Sequence, residues 1–333
     1  MTPTPRRRAT VLVVGEALTD IVIPRAGAPT EHVGGSPANV ARALGRLDLE
    51  VLLSTRLARD SRGRRIVQAM RDDGVVLTPG SFAAERTSTA VARLDSSGQP
   101  VYEFDIDWKP ENGLEPPTDA HVHVGSIGAI LPFGCEAIPR LVRARELGCT
   151  VSYDPNIRPA LMGSPEYARE TAEWLISKCS VVKASTEDLA WLYPHVSTAD
   201  VLDRWQALGV PLAVITDGSH GYTAASAGQG RETFAAYPTQ DVADTVGAGD
   251  TFMAGLISGL CDAGLLGNPE AVRRLPTARW SQIEPSLRYA AAAAAINCTR
   301  PGAQPPTRDE VSRMLGATAN SGNADNPAGS VSV

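Results

Sequence analysis

The sequence predicts an α/β fold in which a central, mostly parallel sheet carries helices on both faces. Short apolar runs alternate along the chain with longer segments whose apolar residues recur at helical spacing. This alternation is typical of strands joined by crossover helices, which pack on the two faces of a parallel sheet. The chain has 333 residues, 43% of them hydrophobic, which is enough for one large α/β domain or two small ones.

Each predicted strand is a short apolar run, and each predicted helix is a longer segment with helical periodicity. The predicted strands are Val11–Val14, Val51–Leu53, His121–Val124, Thr150–Tyr153, Val181–Lys183 and Ala213–Thr216. The predicted helices are Pro37–Arg46, Gly63–Asp72, Cys135–Leu147, Pro165–Ser177, Ala199–Ala207, Asp250–Ala263, Glu284–Asn297 and Arg308–Leu315.

Two segments do not fit this plan and predict a small separate sheet. Thr87–Asp107 alternates as a strand, turns at Ser96-Ser97-Gly98 and alternates again, which indicates a hairpin. Asp20–Val33 also reads as extended chain. A small sheet inserted into the main domain is a natural lid. The predicted organisation is a domain over 10–318, a lid over about 18–33 and 87–108, and flexible tails over 1–9 and 319–333.

Charge and composition exclude several classes of protein. The formal net charge is −6, and the only basic run is Arg6-Arg7-Arg8, so the surface does not predict nucleic-acid binding. Apolar runs fall short of the ~20 residues of a membrane helix, so no membrane association is expected. The five cysteines are scattered without a CxxC pair, and no secretory signal is evident. These features predict reduced thiols and a cytoplasmic location.

The segment Asp244–Phe252 predicts an anion site. Two glycines precede a run of helical periodicity, so they lie at a helix N-terminus, where free N–H groups attract anions. The N–H groups of Gly247, Ala248 and Gly249 would hold phosphate oxygens, and Asp250 would take a proton from an attacking hydroxyl. The alternative is a glycine-rich loop in which Asp250 only caps the helix. The chain has no GxxxxGK[ST] P-loop and no GxGxxG after its first strand.

Two motifs carry a family resemblance. Asp244–Phe252 matches every fixed position of D-T-x-G-A-G-D-x-F, the C-terminal signature of the ribokinase/PfkB carbohydrate kinases. Gly34–Leu47 resembles their N-terminal signature, a Gly-Gly turn that leads into a helix carrying an Asn. The resemblance implies a ribokinase-like three-layer sandwich with a β lid, and ATP and Mg²⁺ as cofactors of sugar phosphorylation.

The resemblance also implies which residues bind the sugar. Asp250 would be the catalytic base, beside the anion hole already described. Asp20 matches the last position of the family's G-E-x-x-x-D opening. The segment Asp154–Pro159 is similar to the D-P-N-x-R-P stretch of fructokinases and 2-keto-3-deoxygluconate kinases. The implied sugar-binding residues are Asp20, Gly34, Gly35, Asn39 and Arg158.

Other matches imply a nucleotide site and two cation sites. Thr216–Gly221 resembles a T-x-G-x-x-G loop near the nucleotide phosphates, although a hairpin turn explains this weak pattern equally well. Where the family has N-x-x-E, this chain has Ser185 and Asp188, and Asp188 would order Mg²⁺ through water. Asp244 would help to bind K⁺ together with carbonyls of Asn297–Ala303. The implied nucleotide-binding residues are Lys183, Ser185, Thr216, Gly218, Gly221 and Gly249.

The expected function is therefore an ATP-dependent sugar kinase with fructose as the first substrate to consider. One alternative is a kinase of 2-keto-3-deoxygluconate, which the Asp154–Pro159 segment fits equally well. An alternative of another class is a non-catalytic sugar- or nucleotide-binding regulator, which the intact Asp250 disfavours. The expected partners are a small sugar and ATP, and a lid with an apolar face would allow a homodimer.

Overall fold

A computed structural model describes residues 9–24, 27–94, 100–111, 114–131, 144, 147–239 and 241–321. Within these residues, nine strands form a main sheet and four form a smaller one. The strands are β1 (Thr10–Val14), β2 (Leu18–Ile23), β3 (Thr30–Gly34), β4 (Glu50–Ser54), β5 (Val75–Leu77), β6 (Thr89–Leu94), β7 (Pro100–Asp105), β8 (His121–Gly125), β9 (Thr150–Asp154), β10 (Val181–Ser185), β11 (Leu212–Thr216), β12 (Tyr222–Ser226) and β13 (Gly230–Phe234).

The main sheet is parallel from its edge strand β5 across to β11. Its spatial order is β13-β12-β11-β10-β9-β8-β1-β4-β5, and only the β11–β12 and β12–β13 pairs are antiparallel. The helices are α1 (Ser36–Arg46), α2 (Ser61–Asp72), α3 (Ser126–Ile130), α4 (Pro165–Ile176), α5 (Thr186–Leu192), α6 (Thr198–Ala207), α7 (Ala248–Asp262), α8 (Ala271–Arg274), α9 (Trp280–Cys298) and α10 (Arg308–Ser321).

Helices cover both faces of the main sheet, because its strands alternate apolar side chains between two cores. Val11 and Val13 of β1 belong to one apolar cluster with α1, α2, α7 and α9. Leu12 and Val14 belong to the other cluster with α3, α4, α5 and α6. This alternation follows the two-residue period of a strand. The predicted α/β fold with a mostly parallel sheet is therefore confirmed, as a three-layer arrangement.

Helices α7 and α9 make an unusually close contact. A Cβ built on Gly255 would lie 2.7 Å from the Cα of Ala290, and one built on Gly259 would lie 2.8 Å from the Cα of Ser286. Glycines on this face of α7 therefore let the two backbones approach directly. Because most of the α7 side chains are also buried, this helix is fixed in the core of the main domain.

The smaller sheet has the order β3-β2-β6-β7, and it confirms the predicted separate sheet. Its β2–β3 and β6–β7 pairs are antiparallel, and its central β2–β6 pair is parallel. Ion pairs connect it to the main domain: Glu31 with Arg62 at 2.7 Å, and Asp107 with Arg56 at 2.8 Å. The predicted turn at Ser96-Ser97-Gly98 lies outside the described residues.

Every predicted strand is present, and the predicted helices are present wherever the structure describes the chain. Most of the predicted helix Cys135–Leu147 lies outside the described residues, as do most of the predicted tails. Sequence reasoning missed β12 and β13, since Tyr222–Ser226 is rich in Ala and Ser and Gly230–Phe234 is mostly exposed. It also missed α5, whose seven residues are too short to show a period.

Two further expectations concern the described part of the chain only. Cys149, Cys179, Cys261 and Cys298 are free cysteines, in keeping with the predicted absence of a disulfide framework. Within the described ranges, none of the helices combines the length and the apolar content that a membrane crossing requires.

Candidate active site

A deep cleft of about 1370 Å³ separates the small sheet from the carboxyl edge of the main sheet. In open α/β sheets, ligands bind outside the carboxyl ends of the parallel strands, and this cleft lies at that edge. The predicted site residues that line it are Asp20, Gly35, Asn39, Arg158, Lys183, Ser185, Asp188, Thr216, Gly218, Asp244, Gly247, Gly249 and Asp250.

The Asp250 carboxylate lies in the first turn of α7 and is held by three donors. Ser36 Oγ donates to Oδ1 at 2.7 Å, Asn39 Nδ2 donates to Oδ2 at 2.9 Å, and Asn156 Nδ2 donates to Oδ1 at 3.3 Å. Only 7% of Asp250 is exposed, and it still lines the cleft. The structure therefore aims one carboxylate into the cleft and fixes its orientation from both sides.

Helix α7 begins directly beside this carboxylate. Gly247 precedes the helix with φ +75°, a left-handed conformation that glycine adopts without strain. A Cβ on Gly249 would lie 2.9 Å from Lys183 Nζ, so the ammonium group faces the first turn of the helix. The free N–H groups of a helix N-terminus and a lysine cation together make a site for anionic oxygens.

Lys183 forms a buried ion pair with Asp154. Lys183 Nζ lies 3.0 Å from Asp154 Oδ2, and the two side chains are 5% and 0% exposed. Burial raises the pKa of Asp154 to about 6, although Lys183 opposes this effect. Burial alone would lower the pKa of Lys183, but the nearby carboxylates of Asp154 and Asp188 outweigh it and raise that pKa above its ordinary value. Lys183 is therefore charged at neutral pH.

On the lid side, carboxyl groups and one arginine surround the far end of the cleft. Burial raises the pKa of Asp20 to about 6, and the field of Arg158 opposes the shift. Burial also raises the pKa of Glu16 to about 7, and its carboxylate accepts the Gly128 N–H at 3.0 Å. Gly34 leaves room for this arrangement, since a Cβ there would lie 1.8 Å from Asp20 Oδ2.

Asp188 is engaged mainly in structural hydrogen bonds. Its Oδ2 accepts from the N–H and the hydroxyl of Ser185, both at 2.8 Å, and its Oδ1 accepts the Ile157 N–H at 2.6 Å. Ser185 in turn caps α5 by accepting the Asp188 N–H. A carboxylate has about four acceptor positions, so one remains for a water molecule at this side chain.

The loop before α7 is held by the segment that follows α9. Asp244 Oδ1 accepts the Val246 N–H at 3.0 Å, and Asp244 Oδ2 accepts the Gly302 N–H at 2.8 Å. These backbone hydrogen bonds keep the pKa of Asp244 below its ordinary value. Asn297 Nδ2 donates to the Val246 carbonyl at 2.8 Å, while its buried Oδ1 has no partner among the described residues.

Three predicted site residues do not line the cleft. Ala248 is the first residue of α7, and Gly34 makes room for the Asp20 carboxylate. Gly221 packs against the backbone at Phe234, because a Cβ on Gly221 would lie 2.1 Å from the Phe234 carbonyl oxygen. Gly221 thus closes the turn between β11 and β12, which is the hairpin reading of the T-x-G-x-x-G pattern.

Sequence reasoning missed Ser36 and Asn156, which both donate to Asp250. Ser36 lies three residues before Asn39, one helical turn away, and this spacing was a usable signal. Asn156 has φ +37°, a conformation that no local pattern indicates. Its role becomes visible only when the loop after β9 is placed beside the first turn of α7.

Comparison with known proteins shows the family of the chain. Residues 8–310 match the model of the pfkB family of carbohydrate kinases. The chain belongs to this family. It is 31% identical over 316 residues to a fructokinase of Klebsiella pneumoniae, and the match covers 92% of this chain and 99% of that one.

Two solved structures of the same fold extend the comparison. Fructokinase with bound ATP from Xylella fastidiosa has a TM-score of 0.79 at 25% identity, with 93% of this chain and 99% of that chain covered. Aminoimidazole riboside kinase from Salmonella enterica, complexed with aminoimidazole riboside and an ATP analogue, has a TM-score of 0.75 at 26% identity, with 92% and 99% covered. The protein is thus a pfkB-family carbohydrate kinase with a ribokinase-like fold.

Proposed function

We propose that the protein transfers the γ-phosphoryl group of ATP to a hydroxyl of fructose. Asp250 carries this proposal, because its oriented carboxylate lies within the first turn of a helix whose N-terminus opens into the cleft. Asp250 takes the proton of the sugar hydroxyl as the new O–P bond forms and the bond to the ADP oxygen breaks. The N–H groups at Gly247–Gly249 and the Lys183 ammonium stabilise charge on the phosphoryl oxygens.

The polar groups around Asp250 fit a neutral polyol. Asn39 donates to Asp250, and its buried Oδ1 has no partner among the described residues, so a sugar hydroxyl can supply the missing donor. Asp20 and Glu16 line the same end of the cleft. Ionised carboxylates accept hydrogen bonds from hydroxyl groups but repel a sugar acid, and the cations that act on Asp20 are Arg158 and, when protonated, His32. This balance favours fructose over 2-keto-3-deoxygluconate.

We propose two cation sites from the oxygen atoms that Asp188, Asp244 and Asn297 offer. Magnesium usually arrives with the nucleotide and keeps several waters, and the one acceptor position left on Asp188 suits a water-mediated contact. Such an ion would neutralise charge on the transferring phosphoryl group. For K⁺, the ionised Asp244 and the unpartnered Asn297 Oδ1 are hard oxygen donors beside the anion hole.

We also propose an assembly and a cellular location for the protein. Tyr102 and Phe104 stack on the lid at a centroid distance of 5.9 Å, and Tyr102 is 55% exposed, so we propose that two lids pair in a homodimer. Light scattering of the purified protein measures the mass that decides this. A cytoplasmic location also stays a prediction, which cell fractionation tests.

The decisive experiment compares Asp250→Asn with the wild-type protein on fructose and Mg-ATP. Loss of a general base is expected to lower kcat by about 10²–10⁴-fold and to leave binding of an ATP analogue intact. Asp200→Asn is the matched control, since Asp200 also lies in a first helical turn and accepts a serine hydroxyl, from Ser197 at 2.6 Å. Unchanged turnover of the Asp250 variant would remove the assigned base.

The substrate is tested separately from the base. A thermal-shift screen of sugars and sugar acids with a non-hydrolysable ATP analogue ranks them by the rise in Tm that binding produces. Fructose should give the largest rise if the neutral-polyol argument holds. A larger rise with 2-keto-3-deoxygluconate would reverse the choice, and a rise with a sugar that the protein does not phosphorylate with Mg-ATP would favour a non-catalytic regulator.

A further inference from the structure

One face of helix α1 contacts both halves of the proposed catalytic centre. Ser36, Asn39, Arg42 and Arg46 follow one another at intervals of three or four residues, so they share a side of the helix. The first two hold the Asp250 carboxylate, at 2.7 and 2.9 Å. The other two extend toward the segment that packs against the anion hole.

The two arginines bind carbonyl groups of that segment. Arg46 Nε donates to the Pro305 carbonyl at 2.6 Å, and Arg42 Nη1 lies 3.5 Å from the Ala303 carbonyl. Both guanidinium groups also pair with Asp73, Arg42 at 2.7 Å and Arg46 at 3.2 Å. The Asp73 side chain is 6% exposed, so it lies between the two arginines largely out of water. Planar guanidinium groups hold such partners in a defined direction.

The segment in turn supports the turn at the start of α7. A Cβ on Gly247 would lie 2.7 Å from the Ala303 Cβ, so Ala303 packs directly on the left-handed turn. The Gly302 N–H donates to Asp244 at 2.8 Å, which holds the loop before the helix. A displacement of 302–305 therefore displaces the N–H groups of the anion hole.

We infer that Arg42 and Arg46, oriented by Asp73, are positioning residues for phosphoryl transfer. Helix α1 then orients the Asp250 carboxylate at its Ser36 end and, through 302–305, supports the turn that carries the anion hole at its Arg46 end. Phosphoryl transfer depends mostly on positioning, and a misplacement of about 1 Å can cost about 10²-fold in rate. This inference rests on the proposed function.

The test measures kcat and KM for Arg42→Ala and Arg46→Ala. We expect kcat to fall by about 10- to 100-fold, while KM for the sugar changes by less than about threefold: both arginines border the cleft, but their guanidinium groups are engaged by Asp73 and the carbonyls of 303–305. Arg231→Ala is the matched control: Arg231 pairs with Asp203 at 2.7 Å and donates to the Ala199 carbonyl at 2.7 Å, away from the cleft. It should keep kcat within about twofold.

Hydrogen exchange separates positioning from general stability. In the arginine variants, amide exchange should rise at 244–249 and 302–304 and stay unchanged in the β1 and β8 strands. Wild-type kcat in a folded variant would overturn the inference, whatever happens to Tm. Should Arg42→Ala not fold, Arg42→Lys, which keeps the charge and loses the planar fork, carries the same measurement.

Failure of the proposed function gives a different pattern from failure of this inference. A wild-type protein that phosphorylates none of the sugars tested contradicts the function, and the exchange measurement still decides whether the arginines hold the loop. An active wild type with equally active variants and unchanged exchange contradicts only the inference.

Discussion

Replacing Lys183 with Met should destabilise the protein in a pH-dependent way. The change removes the partner of the fully buried Asp154 carboxyl, which lies 3.0 Å from Lys183 Nζ. Without Lys183 the buried carboxyl stays protonated above pH 6, at a cost of about 1.36 kcal/mol for each pH unit, or up to about 2.7 kcal/mol at pH 8. The entropy of unfolding is about 2.1 cal/mol/K per residue, or about 0.7 kcal/mol/K for 333 residues, so Tm should fall by up to about 4 °C at pH 8.

The sign of the pH effect follows from the raised pKa of Asp154. Its pKa of about 6 lies above the ordinary value of 3.8, so its ionisation destabilises the folded state as pH rises from about 4 to 6. Without Lys183 the pKa rises further, and the penalty moves to higher pH. At pH 5 the carboxyl is mostly protonated in both proteins, so the difference in Tm should shrink toward zero.

Thermal unfolding at pH 5 and pH 8 measures the effect. Lys183→Met combined with Asp154→Asn should recover most of the loss at pH 8, since no buried carboxyl then has to be protonated at that pH. Arg231→Met breaks an exposed pair with Asp203 and should lower Tm by less than about 2 °C. An equal loss of Tm at both pH values would refute the reasoning, because the titration of the buried Asp154 would then not be its cause.

Two further predictions use the same unfolding measurement. Burial raises the pKa of Glu16 from 4.5 to about 7, so its ionisation lowers the stability of the protein as pH rises through that window. Between pH 5 and pH 8, the stability of Glu16→Gln relative to wild type should therefore rise by about 2–3 kcal/mol, or roughly 3–4 °C in Tm. Parallel curves of Tm against pH for the two proteins would contradict this. Gly247→Ala combines left-handed strain of about 1–2 kcal/mol with overpacking of about 1–3 kcal/mol against Ala303, so Tm should fall by about 3–7 °C. Gly218→Ala is the control, because Gly218 has φ +50° and a Cβ there would meet nothing within 4 Å, so this variant carries the backbone strain alone and should lower Tm by about 1–3 °C. An equal loss of Tm in the two variants would exclude a role for the Ala303 contact.

The sequence predicted the layers of the fold because periodicity is a local property. Strand β1 alternates between two cores, and its apolar run is legible without knowledge of its neighbours. The motif around Asp250 likewise predicted a carboxylate at a helix N-terminus. Hairpin β12–β13 was not predicted, because it is stabilised by the pairing of β12 with β11. Short segments rich in small and polar residues carry no periodicity that indicates such pairing.

The partners of the site residues were beyond the reach of the sequence. Asn156 and Asp250 are far apart in the chain, and their 3.3 Å contact depends on where the loop after β9 lies relative to the first turn of α7. The Arg42–Asp73 pair likewise joins two helices whose relative placement no motif encodes. Asp188 illustrates the reverse case, since its position suggested a metal contact while most of its acceptor positions bind Ser185 and Ile157.

The close backbone contact between α7 and α9 has a consequence for how such an enzyme can change its substrate. The proposed base and the proposed phosphate-binding turn belong to a helix that cannot shift without separating Gly255 from Ala290. The lid belongs to another sheet, whose contacts with the main domain include partly exposed ion pairs such as Arg62 with Glu31. Mutations that reshape the lid can therefore alter which sugar is accepted while the reaction chemistry is inherited unchanged.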